Sequence, residues 1–240
     1  MTETLLRIRG LSKHFGGVIA NADVDFELPA GAIASIIGPN GAGKTTFISM
    51  VSGHLKPTAG RIEFGGHDVT RLSVEKRARL GISRKFQTPS VFPNLTVWEN
   101  VELAVLASRK RPADTDQRVA QVIDLVRLAE FSGYRAVSLS HGQRQWLEVG
   151  LLLGNDASLL LLDEPTAGMT AAETHATAEL IRRLSRELGL SAVIIEHDIQ
   201  FIRDLRAPVT VLHLGRVFAQ GSFKEVSADE RVRSIYLGKA

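Results

Sequence analysis

The sequence predicts an α/β fold: a mostly parallel sheet flanked by helices, an antiparallel β portion near the N-terminus and an inserted helical segment. Three observations carry this. The runs IASII at 33–37, SLLLLD at 158–163 and AVII at 192–195 are apolar without alternation, as strands buried on both faces require. Helical periodicities separate the later runs, which gives the β-α-β order of a parallel sheet. From about Thr88 to Asp156 the pattern is helical throughout, so the core is interrupted rather than continuous.

Taken in order, residues 5–8 and 22–28 read as strands. In the second, Val24, Phe26 and Leu28 alternate with Asp23, Asp25 and Glu27, the pattern of a half-buried antiparallel strand. IASIIG runs from Ile33 into a glycine-rich turn, and TTFISMVSG continues as a helix with Gly53 as its stop. RIEFGG is a short strand with a glycine turn. In the middle segment, Thr96-x-x-Glu99 is a capping box opening a helix through WENVELAVL. Val119, Val122, Ile123 and Val126 fall on one face of a second helix, and RKRPADTD at 109–116 is a charged loop between the two. Beyond SLLLLD, Thr170-x-x-Glu173 is another capping box, and Leu180, Ile181, Leu184 and Leu188 line the helix behind it. PVTVLHLG and RVFAQG form a hairpin around Gly215. The expected organisation is one domain over 1–240, with a core of 1–87 and 157–240 and a helical insertion at 88–156.

Composition narrows the function classes. The chain has 240 residues, 44% of them hydrophobic and 23% charged, enough to bury a core. No apolar run approaches the roughly 18 residues of a membrane span, and MTETLLRIRG lacks the form of a secretory signal. There are no cysteines, which excludes disulfide and thiol chemistry and fits a reducing compartment. The net charge of +3 is too small to argue for nucleic acid. Basic clusters at Lys76, Arg77 and Arg79, at Arg84 and Lys85, at 109–111 and at Arg182, Arg183 and Arg186 read as solvated helix faces, with proximity to anionic lipid as the alternative.

The chemistry starts at GPNGAGKT, which matches G-x-x-x-x-G-K-[ST] with a strand before it and a helix after it. Gly38, Pro39, Asn40, Gly41, Ala42 and Gly43 form a loop whose backbone N–H groups can curl around phosphate oxygens. The helix that follows points its positive end at the same anion. Lys44 can reach β- and γ-phosphates, the Thr45 hydroxyl can ligate Mg²⁺, and Thr46 follows in the first turn. The apolar strand LLLLDEP then supplies Asp163 for Mg²⁺ and Glu164 to polarise a water for in-line attack. Gln87 either touches Mg²⁺ or the attacking water, or is a surface amide. His197 lies just beyond a buried strand's C-terminal end, where parallel sheets place ligands, and either contacts the γ-phosphate or is structural. Phe15 either stacks on adenine or packs in the core.

One stretch is surplus to this. LSHGQRQWLEVG at 139–150 looks like a second anion-binding helix start, with Ser140, His141, Gly142 and Gln143 at its head. A second cradle in one chain has no phosphate of its own unless it serves another copy's nucleotide.

In this order the motifs resemble the ATP-binding cassette of ABC transporters across essentially the whole chain. By that resemblance Phe15 is the adenine-stacking aromatic, GPNGAGKT the Walker A motif, Gln87 the Q-loop glutamine and LSHGQ the signature motif. LLLLDE is Walker B, AGMT the D-loop and His197 the switch histidine. The resemblance implies ATP and Mg²⁺ as cofactors, with Thr45, Gln87 and Asp163 toward the metal and Glu164, His197 and Gln87 toward hydrolysis. It implies head-to-tail pairing with a second cassette, so that Ser140, His141, Gly142 and Gln143 act in trans. It further implies separate membrane permeases contacted through the helical insertion, an external solute-binding protein acting indirectly, and a peripheral position on the cytoplasmic face of the inner membrane. RKFQTPSVFPNLTVWENVELA and VRSIYLG are similar to the branched-chain amino-acid uptake type. LSHGQRQWLEVGLLL, AGMTAAET and GISRKFQ are most similar to its urea-uptake branch, so the expected solute is urea or a short-chain amide, with branched-chain or other hydrophobic amino acids as the alternative and lipid-like export a more distant one. His141 departs from the usual glycine of the signature motif. As a histidine it is a candidate pH-dependent donor beside a partner's phosphate or ribose, or a group facing solvent or the membrane subunits. No C-terminal extension long enough for a regulatory domain is expected after Gly238.

Overall fold

The computed structural model describes residues 3–85, 91–108 and 112–237. The chain opens with strands β1 (Thr4–Phe15), β2 (Val18–Pro29) and β3 (Ile33–Ile37), helix α1 (Lys44–Ser52), and strands β4 (Ala59–Phe64) and β5 (His67–Asp68). Helix α2 (Val74–Leu80) leads to β6 (Ile82–Lys85), and α3 (Val97–Ala107), α4 (Thr115–Leu125) and α5 (His141–Gly154) follow. The second half holds β7 (Leu159–Asp163), α6 (Ala171–Leu188), β8 (Ser191–Ile195), α7 (Ile199–Leu205), β9 (Val209–His213), β10 (Arg216–Gly221), α8 (Phe223–Ala228) and α9 (Glu230–Leu237).

Two sheets form. The larger has the order β10-β9-β3-β8-β7-β6 and is parallel except at its β10 edge. The smaller, β2-β1-β4-β5, is antiparallel throughout. The unbroken apolar runs are explained by burial on both faces. Leu160 and Leu162 of β7 and Ala192 and Ile194 of β8 join a core with α5, α6 and α7. Leu159, Leu161, Val193 and Ile195 point the other way, into a core shared with α1 and the antiparallel sheet. Val24, Phe26 and Leu28 of β2 are buried in that second core, as their alternation requires.

Most local signals act as the sequence suggests. Thr96 and Glu99 form a reciprocal capping box at α3, and Thr170 and Glu173 another at α6. Val119, Val122, Ile123 and Val126 are all buried. The β9–β10 hairpin turns through Leu214 and Gly215, both at positive φ, the mirror-image turn that matches strand twist. Between β6 and β7 the elements among the described residues are helices joined by turns, apart from one isolated bridge between Thr96 and Arg135. These helices have no separate core: Val97, Val101, Val122 and Leu147 belong to the same cluster as Leu160, Ile181 and Ile194. Among the described residues no helix is long and apolar enough to cross a membrane.

One expectation is corrected. Arg77, Arg84 and Lys85 are not solvated helix-face charges. Arg77 is 1% exposed and Lys85 5%. The Arg77 guanidinium donates to the carbonyls of Met50, Val51, Leu72 and Thr70, which closes the C-terminal end of α1. Lys85 pairs with Glu148 of α5, Nζ to Oε2 at 3.1 Å. A buried charge survives where it is paired and hydrogen-bonded, and no local sequence pattern announces such a partner.

Candidate active site

The first part of the site is the loop between β3 and α1. Leu212 O of β9 lies against Gly38, where a Cβ would come within 2.2 Å of it, and Ala20 O of β2 would lie 2.3 Å from a Cβ at Gly43. Gly43 also sits at φ 96°, in the left-handed region. Neighbouring strands therefore press on the loop backbone at Gly38 and Gly43 and leave no room for a side chain at either end of the loop. Gly43 caps α1 with no side-chain acceptor, and the first turn of α1 carries no acidic residue. Its free N–H groups and the helix dipole favour an anion at the mouth, where Asn40, Gly41 and Thr45 are exposed. Lys44 Nζ donates to Gly38 O at 2.7 Å and Pro39 O at 3.0 Å. Burial holds its ammonium below the usual range, while Glu164 and Asp163 pull the other way.

Asp163 ends β7 and is 2% exposed. Arg84 Nη2 lies 3.3 Å from its Oδ2, and Arg84 Nη1 donates to Ser49 Oγ at 2.8 Å. Ser49 Oγ donates in turn to Thr45 O at 2.6 Å. One chain of contacts therefore links Asp163 of β7 to Thr45 of α1. Burial lowers the Arg84 pKa, with Asp163 opposing.

Glu164, next in sequence, takes φ 50°, and its N–H donates to Ile195 O at 2.9 Å. A left-handed conformation costs a non-glycine residue about 1–2 kcal/mol. Here it turns the side chain off the strand line, and Oε1 comes 3.6 Å from His197 Nδ1.

Glu196 was not singled out by sequence reasoning, yet it organises this corner. It is 2% exposed. Its Oε1 accepts from Thr166 N at 3.0 Å and from the Thr166 hydroxyl. Its Oε2 accepts from His197 N at 2.9 Å and Asp198 N at 3.4 Å. One buried carboxylate fixes the turn after Glu164 and the backbone of His197 together. The only hint in sequence is an acidic residue that breaks an apolar strand, AVIIEHD.

The strands that lead into the loop, Asp163 and His197 all finish at one edge of the parallel sheet, where such folds hold ligands. Phe15 ends β1, half-exposed, with Lys13 Nζ 5.0 Å from its ring centre. Gln87 lies outside the described residues.

The 140–143 turn is placed differently. Ser140 caps α5: its Oγ accepts from Gln143 N at 3.2 Å, and Gln143 Oε1 accepts from Ser140 N at 2.8 Å. Ser140 Oγ donates to Glu173 Oε1 at 3.3 Å, and His141 Nε2 lies 2.8 Å from Ala167 O. The carbonyl can only accept, so Nε2 carries the proton in that bond. Gln145 Nε2 at 3.3 Å from the same nitrogen is then better read with its amide reversed. Among the described residues, the side-chain bonds of Ser140 and His141 that leave α5 lead to segment 167–173 rather than to the 38–46 loop.

Residues 22–167 match the family model described as ABC transporter. Over the whole of both chains the sequence is 31% identical to the high-affinity branched-chain amino acid transport ATP-binding protein BraF of Pseudomonas aeruginosa. It is 32% identical to LivG of Salmonella typhimurium, which carries the same description, again over both full lengths. Among solved structures, the ATP-binding cassette MJ1267 in its ADP conformation is similar at a TM-score of 0.87 and 28% identity, covering 99% of this chain and 100% of that one. The dimeric post-hydrolysis state of the cassette MJ0796, bound to ADP and Pi, is similar at 0.78 and 25%, covering 91% and 99%. The glycine loop before α1, the Asp163–Glu164 pair at the end of β7 and this full-length similarity agree: the chain belongs to the ABC transporter family as an ATP-binding cassette, the ATPase of such transporters.

Proposed function

We propose that the chain is the ATP-hydrolysing subunit of an importer of the branched-chain amino-acid uptake type. The observation that carries the enzymatic part is the run of contacts from Asp163 through Arg84 and Ser49 to Thr45, with Glu164 turned toward His197. The residues fit the nucleotide and the metal. At Gly38 and Gly43 the loop admits no side chain, so backbone is presented there. Among the described residues no cluster of three or more His, Cys, Asp or Glu could hold a metal by itself. Thr45 and Asp163 instead offer one hydroxyl and one carboxylate, the sparse hard-oxygen set that suits Mg²⁺ shared with phosphates and water. Gln87 completes that set in this proposal. The metal, when bound, neutralises phosphate charge.

The chain's own groups do the rest. Backbone N–H groups of Gly38–Thr46 and Lys44 hold the phosphates, and Phe15 supplies a face for the base. Glu164 takes a proton from water as the water oxygen attacks the γ-phosphorus and the bond to the ADP oxygen breaks. His197 orients the γ-phosphate, and Ser140, His141, Gly142 and Gln143 serve a second cassette's nucleotide. Glu164→Gln keeps the shape and loses the base. Turnover should fall about 100-fold or more, with ATP binding kept; unchanged turnover would remove Glu164 from this role.

For the solute, the curated relatives are named for branched-chain amino acids. That supports the amino-acid reading over the urea reading, which rests on LSHGQRQWLEVGLLL, AGMTAAET and GISRKFQ alone. The partners proposed are permease subunits, a second cassette and, indirectly, a solute-binding protein, with this chain at the cytoplasmic face of the membrane. Calorimetry on the solute-binding protein encoded beside this chain decides the solute: leucine, isoleucine or valine binding supports this reading, and urea or amide binding with no amino acid overturns it.

A further inference from the structure

Glu173 does more than cap α6. Its Oε2 accepts from Thr170 N and Thr170 Oγ1, both at 3.0 Å, so that oxygen is fixed by its own helix start. Its Oε1 is presented to the neighbouring helix, where Ser140 Oγ donates to it at 3.3 Å. Gly142 packs so close that a Cβ there would meet Oε1 at 2.7 Å. The carboxyl is held below its usual range, first by the Thr170 hydrogen bonds, with smaller contributions from the Ser140 hydroxyl and the Gly142 backbone. A carboxylate thus sits against the first turn of the 14-residue helix α5, the place where a helix dipole favours an anion.

Ser140 has one hydroxyl proton. Its oxygen already accepts from Gln143 N as the helix cap, and its proton goes to Glu173. It cannot offer that proton to a phosphate while it keeps Glu173. We infer that Glu173 is a positioning residue for the signature turn and its resident anion, which the phosphate of a nucleotide held by a second cassette must displace. The inference rests on the trans reading proposed above and adds the step that precedes closure. Displacement releases the Ser140–Glu173 bond, and among the described residues the His141–Ala167 bond then remains between the turn and segment 167–173. The arrival of a partner's nucleotide is thereby felt in the D-loop of this chain.

The test is ATP hydrolysis by the complex with its permeases and second cassette, for the wild type, Glu173→Gln, Glu173→Asp and Ser140→Ala. Gln keeps a hydrogen-bonding cap at α6 but removes the charge. Asp keeps the charge but is one methylene too short to hold both Thr170 and Ser140. Both should lower the KM for ATP, by roughly threefold to tenfold for the loss of one charge-assisted hydrogen bond, without lowering kcat. A merely structural role would instead raise KM or lower kcat together with the melting temperature. Plain charge repulsion would lower KM in the Gln variant and leave the Asp variant at the wild-type value. Unchanged or raised KM in a folded Gln variant, or a wild-type KM in the Asp variant, overturns the inference. Ser140→Ala separates the layers: if it abolishes turnover while neither Glu173 variant shifts KM, only this inference fails, and if it hydrolyses normally, the trans reading fails with it.

Discussion

Glu164 and His197 owe their 3.6 Å approach to a residue that touches neither ATP nor metal in the proposed site. Glu196 accepts four hydrogen bonds, two from Thr166 and one each from the backbones of His197 and Asp198. A glutamine there has one oxygen for four donors, and its amide N–H would face N–H groups. Glu196→Gln should therefore destabilise the fold by about 1–3 kcal/mol, the cost of unpaired buried donors. It should also lower kcat more than it raises KM for ATP, because the geometry of Glu164 and His197 loosens while the phosphate loop is untouched. Thermal denaturation beside steady-state hydrolysis checks both, and a variant with wild-type kcat would leave Glu196 a purely structural group. At this scale the sequence displays the groups of the site but not what holds them. GPNGAGKT and DE announce themselves because, in the proposed site, a ligand's phosphates fix their spacing. Glu196 and Arg84 show their roles through partners 30 and 79 positions away, Thr166 and Asp163, which no local pattern reveals.

Between elements, side-chain pairs join what the backbone keeps apart, and two of them make predictions. Lys85 of β6 and Glu148 of α5 pair at 4% and 5% side-chain exposure. Removing one member of a buried pair costs about 3–5 kcal/mol, whereas replacing both with apolar groups is often neutral. Lys85→Met should thus lower the melting temperature markedly, and Lys85→Met with Glu148→Leu should recover most of the loss; a double variant as unstable as the single one would refute the pairing account. The second pair joins α6 to α7. His175 Nδ1 lies 2.9 Å from Asp204 Oδ2, and that hydrogen bond raises the His175 pKa and lowers the Asp204 pKa. The histidine's share of stability is complete below its unfolded pKa of about 6.5 and fades as pH rises through its higher folded value. The aspartate's share is present above its unfolded value of about 4 and fades as pH falls through its lower folded one. The window of full effect is therefore about pH 4 to 6.5. Denaturant unfolding from pH 5 to 8 should show a decline that His175→Ala abolishes. The same charges explain which elements were hard to read. β6, ISRK, carries Ser83, Arg84 and Lys85 in sequence and yet pairs residue for residue with β7. α2 has four charged residues in seven and α7 spans seven, too few turns for an apolar stripe to declare itself. The apolar strands and capping boxes were legible because they are local.

Across the whole molecule, the fold was readable from the rhythm of buried strands and helical periods, while the placement of the signature turn was not. In the sequence, LSHGQ reads as an anion-binding turn with no phosphate of its own. The structure shows where its polar groups go instead: to Ala167 and Glu173, on the segment that follows Glu164. If the turn serves a second cassette, complementary lesions should rescue one another. Lys44→Ala disables a chain's own phosphate loop, and Ser140→Ala disables what it lends to its partner. Each variant alone has no complete site in a homodimer. Mixed in equal amounts, half of the dimers are hybrids, and each hybrid holds one site with both lesions and one with neither. Up to about a quarter of wild-type sites should reappear, as two-fold pairing of identical chains dictates. Hydrolysis by the two purified variants, measured singly and after mixing with ATP, reads this directly. No recovery on mixing, with both variants folded and inactive, would exclude completion of the site by an identical chain.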